Sequence, residues 1–256
     1  MDKSLSSENL VLTTNFSVTS ADTDMYSRLR PGALVNFLIQ SAIESADQMG
    51  YGFGGLRKQE LFWVLSRLTL EVYRPLKWYE SVQVETWPKD VHKLIYMRDF
   101  IVRDGKEHIV ARGTSGWLAI DMKAKRPRKL EGVEAEIFTR LREKHGLENP
   151  PEKLPGAHDG APREIHPTYF DFDLNRHVTS TRYVDWMFDT FPFEFHKEHY
   201  PSRISVNYMK ETQPGTRVHL YSKEVSEKEY LFEGIHPDQD KTSFRGRVVF
   251  ETAQTG

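Results

Sequence analysis

Residues 171–189 read DFDLNRHVTSTRYVDWMFD, with Asp173, Asn175 and His177 at alternate positions ahead of an apolar-periodic run. A carboxylate, an amide and an imidazole together can bind a polarised carbonyl and move its proton. Alternation by two would place all three side chains on one side of an extended segment. After them Tyr183, Val184, Met187 and Phe188 recur at helical spacing. On this stretch alone two readings stay open. It is either a site for carbonyl chemistry beside a helix start, or an Asp-rich turn that only caps the helix.

The rest of the chain limits what such a site can be. With 256 residues, 38% of them hydrophobic and 28% charged, the composition is that of a globular protein with one large or two small cores. A formal net charge of -2 argues against nucleic acid or an anionic membrane as partner. No apolar run approaches the roughly 20 residues that span a bilayer, and the polar start MDKSLSSEN has no signal-peptide core, so a cytoplasmic protein is expected. Zero cysteines exclude a thiolate metal site and a cysteine nucleophile. His196 and His199 form the one close histidine pair without further ligands around it, and a solvated face is the expected setting. Neither a metal nor a cofactor is expected.

The elements that must position the site follow from periodicity. Residues 31–50 read as a helix, with Pro31 in its first turn and Gly50 past its end. Residues 61–76, 81–88, 94–105 and 108–121 read as strands, the last two joined by the turn RDGK. A basic stretch at 123–129, a short helical candidate at 133–145 and the Pro-rich 148–164 read as a connection between modules. The expected boundaries are an N-terminal module over 1–130, a linker over 131–163 and a C-terminal module over 164–256. Trp63, Trp78, Trp87 and Trp117 read as core residues of the first sheet, GYGFGG (50–55) as a loop at a pocket mouth, and Glu44 and Asp47 as a solvated helix face.

The second module repeats the first. ADTDMYSRLRPGALVNFLIQ aligns with FDFDLNRHVTSTRYVDWMFD at an offset of about 149, and RLTLEVYRPLKWYESVQV with RISVNYMKETQPGTRVHL at about 136. Each copy is then a helix followed by a curled antiparallel sheet, and two copies cover their open edges by joining. The copies differ where chemistry would lie. Asn175 answers to Tyr26, His177 to Arg28 and Glu211 to Pro75, whereas Asp173 answers to Asp24. An Asp-rich turn with only a structural duty has no reason to gain an amide and an imidazole in one copy.

DFDLNRHVTSTRYVDW with ISVNYMKET, and GYGFGG, LFWVLSRLTLEVYRPLKWYESVQVETW and MRDFIVRDG before them, resemble the acyl-ACP thioesterase family, whose plant members carry a D-x-N-x-H motif and a later Glu. The resemblance runs from about Phe16 to Phe250. It implies an α+β tandem hot-dog fold, in which each sheet wraps a central helix. It also implies hydrolysis of a fatty acyl thioester on acyl carrier protein, with Asp173, Asn175, His177 and Glu211 as the catalytic set. The first module then supplies the acyl-chain pocket, the partner is acyl carrier protein, and association into a homodimer is left open. Some members follow the Glu with Cys; here Thr212 stands there, expected only to pack or to give one hydrogen bond. The alternatives are an acyl-CoA thioesterase and a non-catalytic acyl-binding protein.

Overall fold

The computed structural model describes residues 10–130 and 133–252. Its elements in chain order are β1 (Leu12–Ser17), α1 (Pro31–Gln48), α2 (Phe53–Lys58), β2 (Leu61–Val72), β3 (Ser81–His92), β4 (Ile95–Asp104) and β5 (Ile109–Asp121). After a connection come β6 (Arg163–Ile165), α3 (Ser180–Phe188), α4 (Phe193–Glu198), β7 (His199–Tyr208), β8 (Val218–Ser226), β9 (Glu229–His236) and β10 (Lys241–Thr252). The ten strands form one sheet in the order β1-β3-β4-β5-β2-β7-β10-β9-β8-β6. All its pairings are antiparallel.

The two halves are related at the centre of this sheet. β2 pairs with β7 over Arg67–Glu71, and Thr69 lies opposite Ser205. Those two differ by 136, the offset of the repeat, so each faces its own counterpart. Their hydroxyls lie 3.1 Å apart and both residues are buried. The outer strands obey the same operation, since Phe16 on β1 pairs with Val82 and Ile165 on β6 with Val218.

Alternation along the strands turns Leu68, Leu70, Ile204 and Val206 toward the helices, where they join Leu34, Val35, Leu38, Val184 and Met187 in one apolar cluster spanning both halves. The helix α1 buries Leu34, Val35, Leu38, Ala42, Ser45 and Ala46 along one stripe. In contrast α3 has nine residues where α1 has eighteen.

The opposite face of the sheet carries the connection. Residues 133–138 form a 3-10 turn, shorter than the helix expected over 133–145, and residues 139–162 contain no helix or strand. They are nonetheless fastened to the sheet. Lys89 Nζ bonds Asp99 at 2.9 Å, and Asp99 also accepts from Gly146 N–H at 2.7 Å. Leu154 N–H donates to Asn207 Oδ1 at 2.8 Å, and Ala157 N–H to Glu233 at 3.0 Å.

Three expectations are corrected by these packings. Trp87 is fully buried, but Trp78 is exposed and stacks on Tyr79 because it sits in the turn between β2 and β3. His196 and His199 do not lie on a solvated face. Both are half-buried, with ring nitrogens 3.0 Å from the carbonyls of Phe188 and Phe195 respectively, because α4 folds back over the second half. GYGFGG is only partly loop, since α2 begins at Phe53. Glu44 and Asp47 are exposed on α1 as expected.

Candidate active site

The segment holding Asp173, Asn175 and His177 is a tight turn rather than an extended strand. Asp173 N–H donates to the His177 carbonyl at 2.8 Å and Arg176 N–H to the Asp173 carbonyl at 3.0 Å. Arg176 takes φ of 61°, a left-handed value that closes the turn. One oxygen of Asp173 accepts from the N–H of Asn175 at 2.8 Å and of His177 at 3.1 Å. The carboxylate therefore orients the two residues through their backbone.

The first copy folds identically. Asp24 accepts from the N–H of Tyr26 and of Arg28, both at 2.9 Å, and Ser27 takes φ of 60°. Its side chains have a different duty. Arg28 is buried, pairs with Asp24 at 2.8 Å and donates to the carbonyls of His196 and His199 at 2.6 and 3.2 Å. Its guanidinium also lies over the rings of Tyr26 and Tyr200. This turn fastens the first half to the second.

The turn meets Glu211 through the backbone. Val178 N–H donates to the Thr212 carbonyl at 3.0 Å, just as Leu29 N–H donates to Leu76 in the first copy at 2.8 Å. His177 lies near enough to act on the Glu211 charge. Asp173, Asn175 and Glu211 are exposed and His177 is half-buried, so a substrate can reach all four. No hydrogen bond joins their side chains to one another; Glu211 instead accepts from Lys210 Nζ at 2.6 Å. Burial pushes the Glu211 carboxyl up, but the Lys210 bond and charge, with His177 added, leave it below its ordinary value.

Thr212 does more than pack. It is fully buried, its Oγ1 accepts from the Tyr183 hydroxyl at 3.0 Å, and the same oxygen lies 2.8 Å from His236 Nε2. Lys210 and His236 were not singled out in the sequence, and Tyr183 only as one of the apolar-periodic residues of the helix. Tyr183 had a usable signal, a phenol where the first copy has Leu34. His236 had none, because it sits on a strand distant in sequence. Among the described residues no group of His, Asp and Glu is arranged to hold a metal ion.

A cavity of about 70 Å³ opens in the first half between α1 and the sheet. Ala42 and Ala46 of α1, Tyr51, Trp63, Met97 and Trp117 line it, with Arg98 at one wall. Arg98 is buried without a carboxylate partner, bonding Ser45 and Thr86 hydroxyls at 2.9 and 3.2 Å, and burial lowers its pKa to about 10. In the second half the corresponding space is occupied. There α3 is short, and Phe191, Phe195, Tyr230 and Phe250 pack on one another, mostly edge to face, at centroid separations of 4.6–6.1 Å.

Residues 9–140 match the acyl-ACP thioesterase N-terminal domain, and residues 157–252 the acyl-ACP thioesterase C-terminal domain. The chain belongs to the acyl-ACP thioesterase family. Its fold is that family's tandem hot-dog: a crystal structure of an acyl-ACP thioesterase from Bacteroides thetaiotaomicron superposes with a TM-score of 0.89. That relative is 28% identical, and the match covers 96% of this chain and all of the other. Oleoyl-acyl carrier protein thioesterase 1, chloroplastic, of Arabidopsis thaliana is 25% identical over 241 residues, 88% of this chain and 67% of that protein. Palmitoyl-acyl carrier protein thioesterase, chloroplastic, of Gossypium hirsutum is 29% identical over 217 residues, 80% of this chain and 52% of that one. This thioesterase-family chain thus spans between about half and two thirds of the length of these plant relatives. No helix among its described residues is long and apolar enough to cross a membrane.

Proposed function

We propose that this protein hydrolyses the thioester of fatty acyl-acyl carrier protein to free fatty acid and the carrier's thiol, at Asp173, Asn175, His177 and Glu211. The observation that carries the site is the asymmetry of two identically folded turns. The first copy uses its side chains to bind the other half, whereas the second leaves an amide, an imidazole and a carboxylate open to solvent. Family membership over both halves supplies the substrate class.

In this reading Glu211 removes a proton from water as the oxygen adds to the carbonyl carbon. The Asn175 amide, with N–H groups at the start of α3, stabilises the oxyanion. The C–S bond then breaks, and the departing thiolate takes a proton from His177. Asp173 keeps Asn175 and His177 in place through their N–H groups. Thr212 is not a nucleophile, since its oxygen is buried and already bonded on two sides.

The acyl chain belongs at the cavity of the first half, whose lining of Ala42, Ala46, Trp63 and Met97 is of the mainly apolar kind that holds small molecules. β7 runs antiparallel to β2, so its continuation toward Glu211 heads along the half of β2 that carries Trp63 of the cavity wall. The two plant relatives are named for different acyl groups, oleoyl and palmitoyl, so likeness does not choose a chain length.

The test is acid release from a ladder of acyl-carrier-protein and acyl-CoA thioesters. A higher kcat/KM for the acidic carrier is expected, narrowing as salt rises. Equal values for the two thioesters at low salt would refute the carrier-protein reading and favour the CoA one. Acyl binding with no acid release would mark an inert binding protein.

A further inference from the structure

Beneath Glu211 lies a polar cluster that the reaction above does not use. Thr212, next to the carboxylate in sequence, makes two reciprocal bonds with Tyr183. Its N–H donates to the phenol oxygen at 3.3 Å, and the phenol donates back to its Oγ1 at 3.0 Å. Its carbonyl accepts from Val178 at the end of the polar turn. Because Tyr183 supplies the hydrogen at Oγ1, the Thr212 hydroxyl hydrogen is free to go to His236 Nε2, 2.8 Å away. His236 Nδ1 is a buried atom with no hydrogen-bond partner. Burial, with Lys210 nearby, lowers the His236 pKa, while Glu211 opposes the shift.

Buried polar groups with an unmade hydrogen bond are uncommon and need a reason. The repeat shows that packing alone does not require these. At the positions equivalent to Tyr183 and Thr212 the first copy has Leu34 and Leu76, both buried in the apolar core. The polar version occurs only in the half that carries Glu211.

We propose that Tyr183, Thr212 and His236 are positioning residues, which fix the backbone of Glu211 against α3 and against the turn of residues 173–177. None of the three touches substrate, since each is buried. The assignment rests on Glu211 as the base. It predicts that the cluster governs turnover rather than binding.

The experiment compares Thr212→Val, Thr212→Ser, Tyr183→Phe and Glu211→Gln in the full chain, with an acyl-acyl carrier protein substrate, measured well below each variant's Tm. Misplacing a catalytic group by a fraction of an ångström to 1 Å costs on the order of 10- to 10²-fold. Thr212→Val and Tyr183→Phe are each expected to lose that much in kcat with KM within about twofold of wild type. Thr212→Ser, which keeps the hydroxyl, should restore kcat. Should the valine variant fail to fold, Tyr183→Phe, whose ring stays packed on Trp186, Tyr208 and Phe244, still decides. If Tyr183→Phe and any folded Thr212→Val keep wild-type kcat while Glu211→Gln is inactive, the cluster is merely structural and the proposal falls, with the base intact. If Glu211→Gln itself turns over normally, the base assignment fails and takes the proposal with it.

Discussion

The charge on Glu211 is set by its neighbour. Lys210 holds it at 2.6 Å, and its pKa lies below the ordinary 4.5. A base with a lowered pKa stays ionised as pH falls, so the acid limb of kcat/KM should lie below 4.5. Lys210→Met removes the hydrogen bond and the charge, and the limb should move to higher pH; a limb that stays in place would show that another group controls it. Replacing the side chains proposed to react should act on rate instead. Asn175→Ala, His177→Ala and Glu211→Gln are each expected to lose on the order of 10²–10⁴ in kcat with Tm near wild type. Arg28→Ala should do the reverse. It removes a buried guanidinium from a part-exposed Asp24, costing on the order of 1.5–3 kcal/mol, or about 3–12 °C in Tm, with kcat preserved in the folded fraction. An Arg28 variant that folds but is inactive would mean that both copies take part in catalysis. These residue types were legible in the sequence because one copy could be read against the other. Their geometry was not, because residues at alternate positions can equally sit on a strand or around a turn. Asp173 accepts two backbone N–H groups, and nothing in its spacing announces that.

The four long strands of the first half and the long helix were legible to within a few residues at most ends, since alternation and helical stripes are written directly in residue order. β2 ends at Val72 rather than at 76, where Arg74 and Pro75 open a turn, and β3 runs on to His92 through Pro88. Pro88 sits beside a register shift, which lets the strand continue past a missing N–H. The connection was the hard part. Its Pro and charged residues read only as a connection between modules, yet its backbone is held by buried side chains belonging to strands far away in sequence. Lys89→Met tests that fastening. It leaves the fully buried Asp99 without its cation, and a loss of about 3–5 kcal/mol is expected in urea unfolding. A loss under about 1 kcal/mol would show the strap to be incidental, as exposed ion pairs usually are.

Across the whole molecule the two halves have diverged in volume. The first keeps a long helix and a cavity, while the second fills the same region with aromatic rings. Ala46→Phe places a ring where α1 borders the cavity, and it should cut kcat/KM for long acyl chains more than for short ones, read from the same thioester ladder. An even loss across all lengths would place the chain elsewhere. The pairing of Thr69 with Ser205 has a wider consequence. In a homodimer built on that axis, every mutation would occur twice, and any change that widened one pocket would disturb the matching site across the interface. Fusing the copies into one chain lifts that constraint. On the proposed function, one half is then free to vary in the length of tail it accepts while the other keeps the proposed reacting groups, so inherited changes in product need not pass through inactive intermediates.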